Sequence, residues 1–116
     1  MRRSNRCSIK LGHVSTADQL LSARISGVCS RHCARGEVDD LGAAVAELRE
    51  LAGHRPDLLA EHAGVCMGMA EIGQDILRPQ LRAEAELAIA AGAVPSDVQK
   101  WVEVGRKRAE QARLDM

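Results

Sequence analysis

The fold is decided by residues 57–77, DLLAEHAGVCMGMAEIGQDIL. Apolar side chains recur in this segment at intervals of three and four residues, which predicts a helix with one buried face. Three glycines lie inside the predicted helix, and each costs a helix about 1 kcal/mol relative to alanine. Gly64, Gly68 and Gly73 therefore predict a very close contact with another helix, either inside a bundle or across a dimer.

Further helices are predicted on both sides of this segment by the same spacing and by capping and breaking residues. Arg78-Pro79 closes the segment, because proline disfavours a helical residue before it and suits the first turn of the next helix. Gly92 is expected to end the following helix. The predicted helices cover about 16–28, 40–53, 57–77, 80–91 and 96–114, and the stretch CSRHCARGEVD, 29–39, is predicted to be a loop.

No stretch alternates with period two for long enough to form a strand. The predicted fold is therefore all-α, a small bundle of four to five helices that forms one domain over residues 15–116. Residues 1–14 lack periodicity and are rich in basic side chains, so they are predicted to be a flexible basic arm.

Composition excludes several classes of function. The chain has 116 residues, 16 basic and 16 acidic side chains and one aromatic residue, Trp101. Zero net charge argues against a general polyanion binder, and the lack of aromatics argues against base-stacking platforms. No apolar run approaches the roughly 18 residues of a membrane span, and no secretory signal is recognised. The four cysteines are therefore expected to be thiols or metal ligands in the cytoplasm.

Charge is unevenly distributed along the chain. Residues 1–36 hold seven basic and one acidic side chain, whereas residues 37–99 hold four basic and twelve acidic ones. Self-association is one use of such an asymmetry, and a solvated surface is the commoner explanation.

Residues 87–101, LAIAAGAVPSDVQKW, resemble the helix-turn-helix pattern of bacterial regulators, with Gly92 in the turn. The resemblance implies that Ser96, Gln99 and Lys100 face the major groove and that Arg106, Lys107 and Arg108 reach phosphates. Asp97 argues against this interpretation, because a carboxylate near the start of a reading helix repels the DNA backbone. The alternative is a simple turn between two helices.

A second candidate is a zinc site in the first third of the chain. Zinc takes four nitrogen or sulphur ligands, usually supplied as two closely spaced pairs. The available residues are Cys7, His13, Cys29, His32 and Cys33. Their spacing matches no standard zinc finger, so free thiols are the alternative.

A third candidate lies within residues 57–77. His62 and Cys66 are four residues apart and share a helix face, with Met69 close by, so these soft ligands could hold Cu(I). The same residues also continue the apolar face of the helix, and cysteine and methionine are ordinary core residues.

Catalytic motifs are absent from the sequence. It contains no phosphate-binding loop, no GxGxxG, no HExxH and no nucleophile elbow. We therefore predict that the protein is not an enzyme and that it has no cofactor, zinc excepted, and no small-molecule substrate.

From about residue 41 to residue 113 the chain resembles short, Ala- and Arg-rich helical proteins of high-GC actinobacteria. The shared segments are ELRELAGHRPDLLAEHAG and AELAIAAGAVPSDVQKWVEVGRKRAEQAR, with the cluster Gly105-Arg106-Lys107-Arg108. The resemblance implies a helical fold and a bacterial cytoplasm, and it implies no activity.

Together these observations predict a non-enzymatic interaction or regulatory module that binds a protein partner or a second copy of itself. The alternatives are a DNA-binding regulator that uses residues 87–101 and a small zinc protein that uses the N-terminal cysteines and histidines.

Overall fold

A computed structural model describes residues 16–73 and 76–114. These residues form five α-helices and no strand, which confirms the predicted all-α bundle. The helices are α1 Thr16–His32, α2 Leu41–Ala52, α3 Pro56–Ile72, α4 Arg78–Ala90 and α5 Pro95–Leu114. The predicted basic arm, residues 1–14, lies outside the described residues.

Local signals explain where α2 begins and where the turns fall. The side chain of Asp40 accepts a hydrogen bond from the backbone N–H of Ala43 at 3.1 Å, which caps the start of α2. Gly53 and Gly92 follow α2 and α4 with φ of 57° and 129°, a region that side chains other than glycine rarely adopt. Each of these glycines therefore reverses the chain between two helices.

The central element is α3, which packs against all four other helices. Nine of its seventeen residues are buried, so α3 is covered on most of its circumference. Gly64 lies against Val98 and Trp101, and Gly68 lies against Val102 and Gly105. The contacts on α5 move toward its C-terminus as the contacts on α3 do, so α3 and α5 run parallel. Helix α4 connects the end of α3 to the start of α5.

The end of α3 differs from the prediction. The helix ends at Ile72 rather than near residue 77, because Gly73 takes an extended conformation (φ −72°, ψ −176°) and caps it. The side chain of Arg78 donates hydrogen bonds to the carbonyl oxygens of Ala70 and Gly73, at 2.7 and 3.2 Å. A side chain at Gly73 would meet only backbone atoms of Met69, in its own helix, so Gly73 makes no close contact with another helix of this bundle, and a contact across a dimer stays a prediction.

The predicted loop after residue 28 is also wrong at its start, because α1 continues to His32. Ile25, Cys29 and Cys33 are spaced four residues apart and are all fully buried. Ile25 and Cys29 lie on one buried face of α1, and Cys33, directly after the helix, continues this face while its backbone N–H donates a hydrogen bond to the carbonyl oxygen of Cys29 at 3.0 Å. The remaining predicted helix boundaries agree with the structure within two residues.

Among the described residues, no helix combines the length and the apolar character that crossing a membrane would require.

Candidate functional site

A cavity of about 570 Å³ opens between α1, α3, α4 and the end of α5. One face of α1 and one face of α3 supply most of its wall. Its lining residues are Asp18, Gln19, Ser22, Ala23, Ser26, Ser30, Leu58, Glu61, His62, Val65, Cys66, Met69, Leu81, Glu84 and Arg108.

Three side chains that could each bind a metal ion lie close together on the wall of this cavity. His62 and Cys66 stand one turn apart on α3, and Glu84 projects from α4. His62 Nε2 lies 2.9 Å from Glu84 Oε1 and 3.5 Å from Cys66 Sγ. One ligand atom of each residue lies within 4.8 Å of the other two, and no other group of three His, Cys, Asp or Glu side chains among residues 16–73 and 76–114 converges in this way.

Glu84 is the most unusual of the three residues, because its side chain is buried. The whole residue is 4% exposed, although a carboxylate placed in an apolar interior costs several kcal/mol unless its charge is compensated. Ser30 and Gln80 donate hydrogen bonds to Oε2, at 3.3 and 2.9 Å. Within the described part of the chain, His62 is its one ion-pair partner, and neither lysine nor arginine contacts it.

The geometry does not fit a cysteine–histidine–glutamate catalytic triad. In such a triad the thiol and the carboxylate bind different nitrogens of the imidazole. Here both Cys66 and Glu84 contact Nε2 of His62, and one nitrogen cannot donate to the carboxylate while accepting the thiol proton. Burial first, and then the charge of Glu84, raise the pKa of the Cys66 thiol to about 12, so the free thiol is not a nucleophile near neutral pH.

A metal cation would satisfy the same three groups together. Thiolate, imidazole and carboxylate are the protein ligands of zinc, and a cation at this position would favour ionisation of the thiol. The residues fit a cation because three donor atoms, from two helices that pack on each other, lie within 4.8 Å of one another.

The structure brings together two of the three residues of the predicted Cu(I) site. His62 and Cys66 are in contact, and Met69 lines the same cavity. The third ligand, Glu84, is not among the residues predicted from the sequence. The signal was its position on the face of α4 that carries Leu81, Ala85 and Ala88, where an apolar residue is expected.

The residues of the predicted zinc site do not converge among the described part of the chain. Cys29 and Cys33 point into the core, whereas His32 Nε2 lies 2.8 Å from Glu47 Oε1 on α2. The helical conformation causes this separation, since adjacent positions 32 and 33 face different directions. Cys7 and His13 lie outside the described residues.

The predicted DNA-reading face shows features that oppose DNA binding. Ser96, Gln99 and Lys100 are exposed, but Lys100 Nζ lies 3.4 Å from the carboxylate of Asp97. In a helix-turn-helix the two helices pack on each other, whereas α4 and α5 each pack on α3 and touch each other little.

The three residues predicted to bind phosphates have different environments. Arg106 is paired with Glu71 at 2.7 Å and with Glu103 at 3.2 Å. Lys107 is exposed, and Arg108 is exposed at the edge of the cavity. They do not form one basic face.

Gly64 and Gly68 contact α5 within the bundle, where the lack of a side chain lets the two helices approach closely. Their presence therefore does not require a second copy of the chain.

A protein partner, self-association, DNA binding and a cytoplasmic location stay predictions. Comparison with known proteins finds no family, no curated protein and no solved structure that this chain matches, so no relative supplies a partner or an activity.

Proposed function

We propose that the protein is a small, non-enzymatic helical module that binds a divalent transition-metal cation of the zinc class through His62, Cys66 and Glu84. The observation that carries the proposal is the convergence of three ligand atoms within 4.8 Å, one of them on a buried carboxylate.

Charge balance supports a divalent cation. A cation of charge +2 together with the Cys66 thiolate, the Glu84 carboxylate and neutral His62 gives a site with no net charge. A neutral set of groups is the combination that burial penalises least. Without a cation, the Glu84 charge depends on His62 and on two neutral hydrogen-bond donors.

The donor set favours zinc over Cu(I). A thioether is a ligand for soft Cu(I), whereas zinc accepts thiolate, imidazole and carboxylate ligands alike. The carboxylate of Glu84 takes the place that the sequence analysis gave to the thioether of Met69, and this exchange moves the preference toward the borderline divalent ions.

We infer that metal binding regulates the stability of the bundle. The ligands come from α3 and α4, so a bound cation would tie these helices together and shift stability toward the folded state. The protein would then respond to metal availability through its stability, without catalysing a reaction.

The experiment is a cobalt and zinc titration of the full-length protein, reduced and freed of metal by a chelator. We expect one equivalent of metal to remain after gel filtration, and cobalt to give the visible bands of a tetrahedral site with a thiolate charge-transfer band. The Cys66→Ala variant should lose the charge-transfer band and most of the affinity. Cys33→Ala is the matched control, because it removes another buried thiol.

Two outcomes would contradict the proposal. Unchanged binding in Cys66→Ala would show that the metal is held elsewhere, and failure of the wild-type protein to retain metal would remove the function. Loss of binding in Cys33→Ala with retention in Cys66→Ala would instead favour the zinc site predicted from Cys7, His13, Cys29, His32 and Cys33. Circular dichroism of each variant separates loss of binding from loss of the fold.

A further inference from the structure

The two oxygens of the Glu84 carboxylate have different partners. Oε1 lies 2.9 Å from Nε2 of His62, and the same nitrogen lies 3.5 Å from Sγ of Cys66. Oε2 instead accepts a hydrogen bond from the Gln80 amide at 2.9 Å and another from the Ser30 hydroxyl at 3.3 Å. Oε1 is therefore the oxygen of Glu84 that contacts another of the three proposed metal ligands.

Helix geometry and helix packing hold the two donors beside Glu84. Gln80 precedes Glu84 by four residues on α4, so the two side chains lie on one face of that helix. Ser30 lies near the end of α1, which packs on both α3 and α4. Both donor residues are half-buried, so water competes for these hydrogen bonds less than it does at an exposed site.

The two hydrogen bonds leave Oε2 without a free lone pair. An ionised carboxylate offers about four lone-pair positions, which is about two on each oxygen. Gln80 and Ser30 occupy both positions on Oε2. For Oε2 to bind a cation as well, one of these donors would lose its acceptor, which is unfavourable for a half-buried polar group. A cation is therefore bound through Oε1 alone.

Cations differ in how many carboxylate oxygens they require. A zinc-class ion in a four-coordinate site needs one oxygen from Glu84, because His62 and Cys66 supply two of the other ligands. Calcium takes about six to eight oxygen ligands and often uses both oxygens of one carboxylate, and manganese also prefers oxygen ligands in octahedral geometry. A carboxylate that is restricted to one oxygen therefore disfavours these oxygen-binding cations.

We propose that Gln80 and Ser30 are positioning residues that restrict Glu84 to one-oxygen coordination and thereby make the site selective for four-coordinate cations. Neither residue binds the cation, and both act through Glu84. Gln80 contributes more, because its hydrogen bond to Oε2 is the shorter one. This inference rests on the proposed metal site, and it adds the cause of its selectivity.

The test replaces Gln80 by methionine, which has a similar length and no hydrogen-bond donor. The full-length protein, reduced and freed of metal, is titrated with cobalt, and manganese is then added as a competitor. We expect Gln80→Met to bind cobalt about tenfold more weakly, because it removes the support of a metal ligand.

Two further readouts report on the coordination itself. In Gln80→Met the released Oε2 can also bind the cobalt, so the tetrahedral visible bands should lose intensity per bound cobalt. The preference for cobalt over manganese should fall about tenfold in parallel with the loss of cobalt affinity. A residue that only stabilises the fold would change neither the bands nor the preference.

Further variants grade the effect. Ser30→Ala leaves the shorter hydrogen bond in place, so it should change the affinity, the bands and the preference in the same direction but less. Ser30→Thr keeps the hydroxyl and should behave like the wild type. Gln99→Met is the matched control, since it makes the same chemical change at an exposed position of α5 and should alter none of the three readouts.

The failures of the two proposals are distinguishable. Wild-type affinity, bands and selectivity in Gln80→Met would overturn the positioning role and leave the metal site intact. Weaker binding with unchanged bands and selectivity would also overturn it, because Gln80 would then only stabilise the bundle. If circular dichroism shows that Gln80→Met is unfolded, Ser30→Ala decides by the same outcomes. If the wild-type protein takes up no cobalt, the proposed function and this inference both fail.

Discussion

Gly68 lies directly against the carbonyl oxygen of Val102, and no space remains between the two backbones for a side chain. Gly105 lies equally close to the carbonyl of Val65 from the opposite side. Such close approach allows Cα–H groups to contact carbonyl oxygens and brings many atoms of the two helices into van der Waals distance. The pairing of α3 with α5 therefore depends on residues that have no side chain.

We expect Gly68→Ala to destabilise the protein by about 1–3 kcal/mol, because the added methyl group would overlap the Val102 carbonyl oxygen and force the helices apart. Gly68→Leu should prevent folding or change the oligomeric state. Gly27→Ala is the control, since a Cβ at Gly27 meets nothing within 4 Å, and it should stabilise the protein by about 0.5–1 kcal/mol. Urea unfolding measures both changes. Equal stability of the two alanine variants would contradict the close contact.

The start of α2 supplies a second prediction. Asp40→Ala should cost about 1 kcal/mol, because it removes the hydrogen bond to the Ala43 backbone N–H. Asp39→Ala removes a neighbouring exposed carboxylate that does not cap the helix, and should change stability little. The free energies of unfolding of the two variants test the assignment, which fails if Asp39→Ala is the more destabilising change.

The buried thiol of Cys33 predicts a sensitivity to alkali. Burial first, and then the charges of Glu84 and Glu86, raise the pKa of Cys33 to about 11. In the unfolded chain the thiol ionises near pH 8.5, so above that pH the folded state holds the proton more tightly. Stability should therefore fall by roughly 1 kcal/mol per pH unit between about pH 8.5 and 11 on account of this thiol.

The measurement is urea unfolding of reduced, metal-free protein between pH 7 and pH 11. Cys33→Ala should show a shallower decline than the wild type over this interval, whatever its stability at pH 7. Parallel pH profiles would mean that Cys33 is accessible to ionisation in the folded state.

Metal binding predicts a gain in thermal stability. Zinc at about one hundred times its dissociation constant stabilises a folded state by about 2.7 kcal/mol, which corresponds to a rise of roughly 10–20 °C in the melting temperature of a domain of this size. A chelator should reverse the gain. Glu84→Gln should show little response to zinc, and an undiminished response in this variant would exclude Glu84 as a ligand.

The sequence predicted the helices well, because each is delimited by local signals. Pro56, Pro79 and Pro95 lie in the first turns of three helices, and Gly53 and Gly92 follow two helix ends, as propensity and turn geometry require. The predicted end of α1 at residue 28 is too early, because Val28 is the last strongly apolar residue at helical spacing and the cysteines that follow are not recognisable as core residues from sequence alone. Their helical spacing from Ile25 becomes informative once burial is known.

The candidate site was only half predictable. The spacing of His62 and Cys66 follows from a single helix, so the sequence could place them on one face. The burial of Glu84 depends on α1 and α3 closing over α4, which is a tertiary contact that helical periodicity does not report. Glycine spacing likewise indicated that a helix packs on Gly64 and Gly68, but not that this helix is α5 rather than its neighbour in sequence.

The parallel pairing of α3 with α5 has a consequence for synthesis of the chain on the ribosome. Gly68 is translated before Val102, and at 5–20 residues per second the intervening segment takes about 2–7 s. During that interval the glycine face of α3 has no packing partner, because the residues that contact Gly64 and Gly68 in the bundle all belong to α5. Completion of the core must therefore wait for α5, so we expect the bundle to reach its folded state only when synthesis of the chain is nearly finished or after it.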